Sequence, residues 1–212
     1  IASDPIQNEE IKELGVSYQP IEDLCKNSDV IFLTIKPNKA KEVLNEIKDL
    51  VKNKLIISFI AGMSLEKLNT FLLNDNVIRA MPTLGISNGA SPIAFCSSKE
   101  IENSTGQEIL NKLGQCIRIE ESKFDAFTSI FGAGPAYISY LGNLLSEIAL
   151  SNGFENPEPL IRDLLKGTYE IHNFANKPSF NEIKSMVASK GGVTEAALKK
   201  IESSGMEEIW KS

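Results

Sequence analysis

The chain has 212 residues, a formal net charge of −6, 42% hydrophobic and 24% charged residues. Those are ordinary globular proportions, and a chain this long buries about 70% of its unfolded surface without disulfide or metal staples. The acidic balance disfavours nucleic acid as a partner, and the longest mostly apolar stretch, residues 55–63, is far shorter than the roughly 20 residues that span a bilayer.

From the N-terminus, strand and helix signals alternate up to Glu120. Ile11 and Leu14 mark a first helix, and Gly15-Val16-Ser17-Tyr18 reads as a short strand after it. Asp29-Val30-Ile31-Phe32-Leu33-Thr34-Ile35 is a nearly continuous apolar run, the pattern of a strand buried on both faces; Pro37 ends it. Val43, Ile47 and Leu50, spaced four and three apart, predict a helix over 39–50. Leu55-Ile56-Ile57-Ser58-Phe59-Ile60 is a second buried strand, closed by Ala61-Gly62. Ser64 caps a helix carrying Leu65, Leu68 and Leu72, with Lys67 at the position where Glu would complete a capping box. Asn76-Val77-Ile78-Arg79-Ala80-Met81 is a third strand, stopped by Pro82. Two β-rich runs, 92–96 and 116–120, flank a helix near 107–113. The rhythm predicts an α/β fold with a mostly parallel sheet and helices on both faces.

After Ser122 the strand signal stops. Pro135 suits the first turn of a helix. Ile138, Leu141, Leu145 and Ile148 mark one face of it and Tyr137, Tyr140 and Leu144 another, so a helix buried on most sides is expected. Gly153 ends it. Pro157 opens the next, with Leu160, Ile161, Leu164, Leu165 and Ile171 inward, and two or three shorter helices follow. The expected domains are an α/β domain over 1–121 and an all-α domain over 122–212.

Three strand ends stand out: Ile35-Lys36-Pro37, Ala61-Gly62 and Met81-Pro82-Thr83. Ligands of open α/β sheets bind beyond carboxyl strand ends, although Gly and Pro also simply terminate strands. Gly132-Ala133-Gly134 looks like the start of a dinucleotide fingerprint, but Tyr137 holds the third glycine position; a tight turn into a helix is the better reading. In Val187-Ala188-Ser189-Lys190-Gly191-Gly192-Val193-Thr194-Glu195, two glycines and two hydroxyls precede a helix, which suits either an anion nest or an ordinary cap. His172, the single histidine, has no cysteine or carboxylate cluster beside it and reads as packed or solvated rather than as a ligand. Cys25, Cys96 and Cys116 are far apart, which fits a reducing cytoplasm and neither a disulfide framework nor a metal site. Asn103-Ser104-Thr105 matches a glycosylation sequon, read here as a chance match.

Together these pieces resemble pyrroline-5-carboxylate reductase. The most specific are Phe131-Gly132-Ala133-Gly134-Pro135-Ala136-Tyr137 and Ser189-Lys190-Gly191-Gly192-Val193-Thr194; the three strand ends fall where that family has matching ones. The resemblance implies a Rossmann-like domain binding NADPH or NADH, lacking here its first β-α unit, and a helical domain that interlocks two subunits into a homodimer, or a decamer of dimers. It implies reduction of 1-pyrroline-5-carboxylate to L-proline by hydride transfer, the last step of proline biosynthesis. It places cofactor contacts on Thr34, Ile35, Lys36, Pro37, Ala61, Gly62, Met81 and Pro82. Substrate contacts fall on Ser189, Gly191, Gly192 and Thr194: the glycine amides and Ser189 hold the carboxylate, and Thr194, the catalytic hydroxyl, bonds the ring nitrogen.

The sequence departs from the family in several places. The glycine-rich phosphate loop is not in the chain, whose first residue is Ile1, so a native chain longer by roughly 30 residues is expected, the size of a β-α unit with its next strand. Thr83-Leu84-Gly85 stands for Asn-Thr-Pro, Phe131 for a Ser and Lys190 for a Pro. Asp4 lies where a second Rossmann strand ends, where an acid favours ribose hydroxyls and hence NADH. Two other readings stay open. One is a related reductase of another small acid with Lys166 or Lys184 as proton donor; the other is a dimeric paralogue without activity.

Overall fold

The computed structural model describes residues 1–98 and 105–211, so Asn103 and Ser104 of the sequon lie outside the described residues. Two short helices, α1 (Glu9–Glu13) and α2 (Ile21–Asn27), lead into β1 (Val30–Leu33), α3 (Pro37–Ile47), β2 (Leu55–Ser58), α4 (Leu65–Leu72) and β3 (Val77–Met81). β4 (Ser91–Ser97), α5 (Thr105–Leu113) and β5 (Gly114–Arg118) follow. The remaining elements are helical: α6 (Phe124–Phe127), α7 (Gly134–Ser151), α8 (Glu158–Ile171), α9 (Phe180–Val187), α10 (Val193–Glu202) and α11 (Met206–Lys211).

The five strands lie side by side in chain order. β1, β2 and β3 are parallel; β4 runs antiparallel to β3, and β5 parallel to β4. Helices cover both faces, which is why the strand sequences are apolar at successive positions. On one face Ile31, Leu33 and Ile56 pack with Ala40, Leu44 and Ile47 of α3 and with Leu65, Leu68 and Leu72 of α4. On the other, Ile57, Ile78, Ala80, Ile93 and Phe95 meet Leu110 of α5. The strand expected at Gly15-Val16-Ser17-Tyr18 is reduced to one parallel bridge, Ala2 to Tyr18, held by two backbone hydrogen bonds of 2.9 Å and outside the sheet.

Packing divides the chain into two compact units, Ile1–Tyr137 and Ile138–Ser212. By packing, residues 122–137 group with the first, in whose core Phe124 and Phe127 are buried. The second unit has little core of its own. Ile183 is the one large apolar side chain it buries among the described residues. The expectation that α7 is buried on most sides is therefore corrected for the single chain. Ile138, Tyr140, Leu141, Leu144 and Ile148 are all exposed, and Gly142 is the residue that packs, beside Ile161 and Leu165 of α8. On α8, Ile161, Leu165 and Ile171 turn inward as expected, but Leu160 and Leu164 face out.

Candidate active site

The strand register aligns the carboxyl ends of the parallel strands, since Leu33 lies opposite Ser58 and Ser58 opposite Arg79. Beyond β1 come Thr34, Ile35 and Lys36, and Pro37 opens α3. Ala61 and Gly62 turn the chain after β2, and Met81 closes β3 with Pro82 behind it. All eight residues expected to hold the cofactor thus gather at one edge of the sheet, the edge where open α/β sheets bind ligands. A nucleotide cofactor could be held there. A Cβ at Gly62 would project into open space, so backbone can meet a flat ring there. Thr34, Lys36 and Ala61 are exposed, and Lys36 brings a positive charge to the N-terminal end of α3. Thr83 fixes the next segment: its N–H donates to Ser91 Oγ at 2.7 Å, and its own hydroxyl lies 3.2 Å from that oxygen.

Beneath this edge sits a buried cation. Arg79 of β3 is 6% exposed, and its guanidinium lies 4.2 Å above the Phe124 ring. Arg79 Nη1 donates to Glu121 Oε1 at 2.7 Å. The same oxygen accepts the Leu65 N–H at 2.7 Å. Ser64 Oγ caps the Lys67 N–H as expected, and Glu121, 56 residues away in sequence, accepts the Leu65 N–H at the first position of α4. Cys96 lies opposite Arg79 on β4; burial and the nearby Glu121 charge push its thiol up to about 12.

The second cluster is the loop between α9 and α10. Gly191 has φ +73, a left-handed conformation that a side chain would strain, and an added Cβ on Gly192 would fall 2.6 Å from Ser189 Oγ. Both glycine amides are occupied. Gly191 N–H donates to Glu195 Oε2 at 2.6 Å, and Gly192 N–H to the Ser189 carbonyl at 2.9 Å. Among the described residues, the N–H groups left without an acceptor at the start of α10 are those of Val193, Thr194 and Glu195. The Ser189 and Thr194 hydroxyls also make no hydrogen bond among the described residues, and Thr194 is half-buried. The Gly191 N–H, then the Lys199 ammonium, hold the Glu195 carboxyl below its usual range. Sequence reading missed Glu195, although an acid three residues after the N-cap is a local signal for this role.

Gly132-Ala133-Gly134 bends the chain into α7. A π-helical stretch, Thr128–Gly132, in which Ala133 N–H reaches the Thr128 carbonyl five residues back, ends in a bend at Ala133, and α7 begins at Gly134. Tyr137 Oη donates to the Ser129 carbonyl at 3.0 Å. Phe131 stacks on Phe127 with ring centroids 4.8 Å apart. His172 is packed: its Nδ1 lies 2.9 Å from the Pro178 carbonyl and its ring meets Phe180 edge-on. Lys184 pairs with Glu202. Asp4, two residues past the Ala2 bridge, accepts the Ile6 N–H at 2.7 Å. No group of three or more potential metal ligands occurs among the described residues, and no helix there is long and apolar enough to cross a membrane.

Residues 121–212 match the family model described as pyrroline-5-carboxylate reductase dimerisation, and 3–62 match one described as NADP oxidoreductase coenzyme F420-dependent. A pyrroline-5-carboxylate reductase of Aquifex aeolicus is 31% identical over 98% of this chain and 80% of its own length. The chain belongs to the pyrroline-5-carboxylate reductase family. A Bacillus subtilis reductase of the same name is 29% identical over 94% of this chain and 74% of its own. Among solved structures, the Plasmodium falciparum pyrroline carboxylate reductase with NADP bound superposes with a TM-score of 0.85 at 25% identity, covering 99% of this chain and 80% of that one. This family member thus combines a Rossmann-like sheet with a helical dimerisation segment.

Proposed function

We propose that this chain reduces 1-pyrroline-5-carboxylate to L-proline with NADPH or NADH, the closing step of proline biosynthesis. The observation that carries the reading is the match, over 98% of this chain, to a relative of that name; the strand-end residues and the Ser189–Thr194 segment support it. When bound, the reduced nicotinamide supplies a hydride to the imine carbon. Thr34, Ile35, Lys36, Pro37, Ala61, Gly62, Met81 and Pro82 hold it against the sheet edge. The Val193 and Thr194 amides, with the Ser189 hydroxyl, hold the substrate carboxylate at the N-terminus of α10, where the helix dipole favours an anion. The Thr194 hydroxyl bonds the ring nitrogen and fixes the orientation of the imine. A protonated imine is electrophilic enough that alignment, rather than a histidine acid, is what the site must supply. Asp4 disfavours a 2′-phosphate and favours NADH.

The partner is a second copy of the chain. The dimerisation segment leaves the apolar face of α7 exposed, and a homodimer covers it; a decamer would stack such dimers. The cytoplasm is the proposed compartment.

The full-length protein should consume reduced nicotinamide, followed by its near-ultraviolet absorbance, only when pyrroline-5-carboxylate is added. A folded protein that turns over neither cofactor with this imine would sink the reading. Thr194→Ala should lower turnover on the order of 10²-fold, as for a positioned proton partner; normal turnover would remove Thr194 from the role. A strong preference for NADPH over NADH would remove Asp4 from its own.

A further inference from the structure

Glu121 is the first residue of the matched dimerisation segment, yet its carboxylate lies inside the sheet unit. One oxygen, Oε1, takes a hydrogen bond of 2.7 Å from Arg79 and another of 2.7 Å from the Leu65 N–H. Each donor stands close in sequence to a different part of the sheet edge. Arg79 is two residues before Met81, and Leu65 three residues after Gly62. Arg79 has nowhere else to turn: its head is buried, Phe124 covers one face, and its Nε has no acceptor. We infer that Glu121 is a positioning residue for the nucleotide, fixing the Ala61-Gly62 turn against the Met81-Pro82 strand end by holding both through a single oxygen. The inference rests on the reductase reading above and assigns Glu121 no contact with cofactor or substrate.

A carboxylate that bridges two elements sets their spacing, and a nucleotide gripped by both elements senses that spacing directly. The imine, assigned to the α10 cluster, does not. Loss of the bridge should therefore weaken cofactor binding and leave the KM for pyrroline-5-carboxylate alone. A residue important only for folding would lower stability and leave the affinity of the folded fraction intact.

Three variants of the full-length protein separate these outcomes, read by nicotinamide fluorescence titration, by KM for the imine at saturating cofactor and by thermal melting. Glu121→Ala should raise the cofactor Kd on the order of tenfold, with the imine KM within about twofold. Glu121→Gln keeps an acceptor for Leu65 and should recover part of the affinity. Should Glu121→Ala fail to fold because it strands the buried Arg79 charge, the double variant Arg79→Met with Glu121→Met removes both charges of this partly buried pair, and such apolar replacement commonly preserves stability. That protein should melt near the wild type and still bind cofactor several-fold more weakly. Wild-type affinity in a double variant of normal melting temperature would overturn the inference while leaving the reductase reading intact. Failure of the wild-type protein to bind either reduced nicotinamide would overturn both.

Discussion

Glu195 illustrates how one side chain sets the terms for its neighbours. By taking the Gly191 N–H it holds a left-handed glycine in place and leaves the next amides open. Its carboxyl is held below the usual range first by that N–H and then by Lys199, so the bond is intact above the ordinary glutamate pKa and is lost as pH falls through the lowered one. An NMR titration of the Gly191 amide should accordingly show its midpoint below the ordinary value of about 4.3. Gly191→Ala should cost about 1–2 kcal/mol of local strain, the usual cost of a left-handed conformation with a side chain. In the proposed enzyme this should appear as a raised KM for the imine, with cofactor Kd unchanged. Cys96 is buried opposite Arg79. With its thiol pushed up to about 12 inside the core, it should resist alkylation at pH 8 until the protein is unfolded.

At the scale of elements, α3 is the simplest case. Its buried face of Ala40, Leu44 and Ile47 is fully apolar, and Leu44→Ala should cost about 2–5 kcal/mol in urea unfolding. This helix, like β1, β2, β3 and α4, was legible in the sequence because each carries an apolar period or run that only a two-sided sheet or a one-sided helix can satisfy. The reversal of β4 was not legible, since strand direction depends on pairing partners rather than on the strand's own residues. The Arg79–Glu121 contact escaped for a similar reason: 42 residues separate the pair, and no local pattern announces it. The π-helical stretch was hidden by its glycines, which look the same in a turn. At the candidate site the sheet-edge residues could be read from strand endings, whereas the occupied amides of Gly191 and Gly192 required the Glu195 and Ser189 positions in space.

The whole molecule is uneven. The sheet unit closes a two-faced core, whereas the helical unit hides Ile183 and leaves Tyr140 and Ile148 more than half exposed. In the proposed dimer, Leu144→Asp on α7 should split the subunits in analytical ultracentrifugation and lower activity without touching either residue cluster, because a buried unpaired carboxylate at an interface is strongly disfavoured. A helical unit so short of internal apolar contacts has a consequence in molecularity. Its folding should be second order: each copy completes the other, so the melting temperature should rise with protein concentration, and dilution alone should inactivate the enzyme over time even where the sheet unit stays intact.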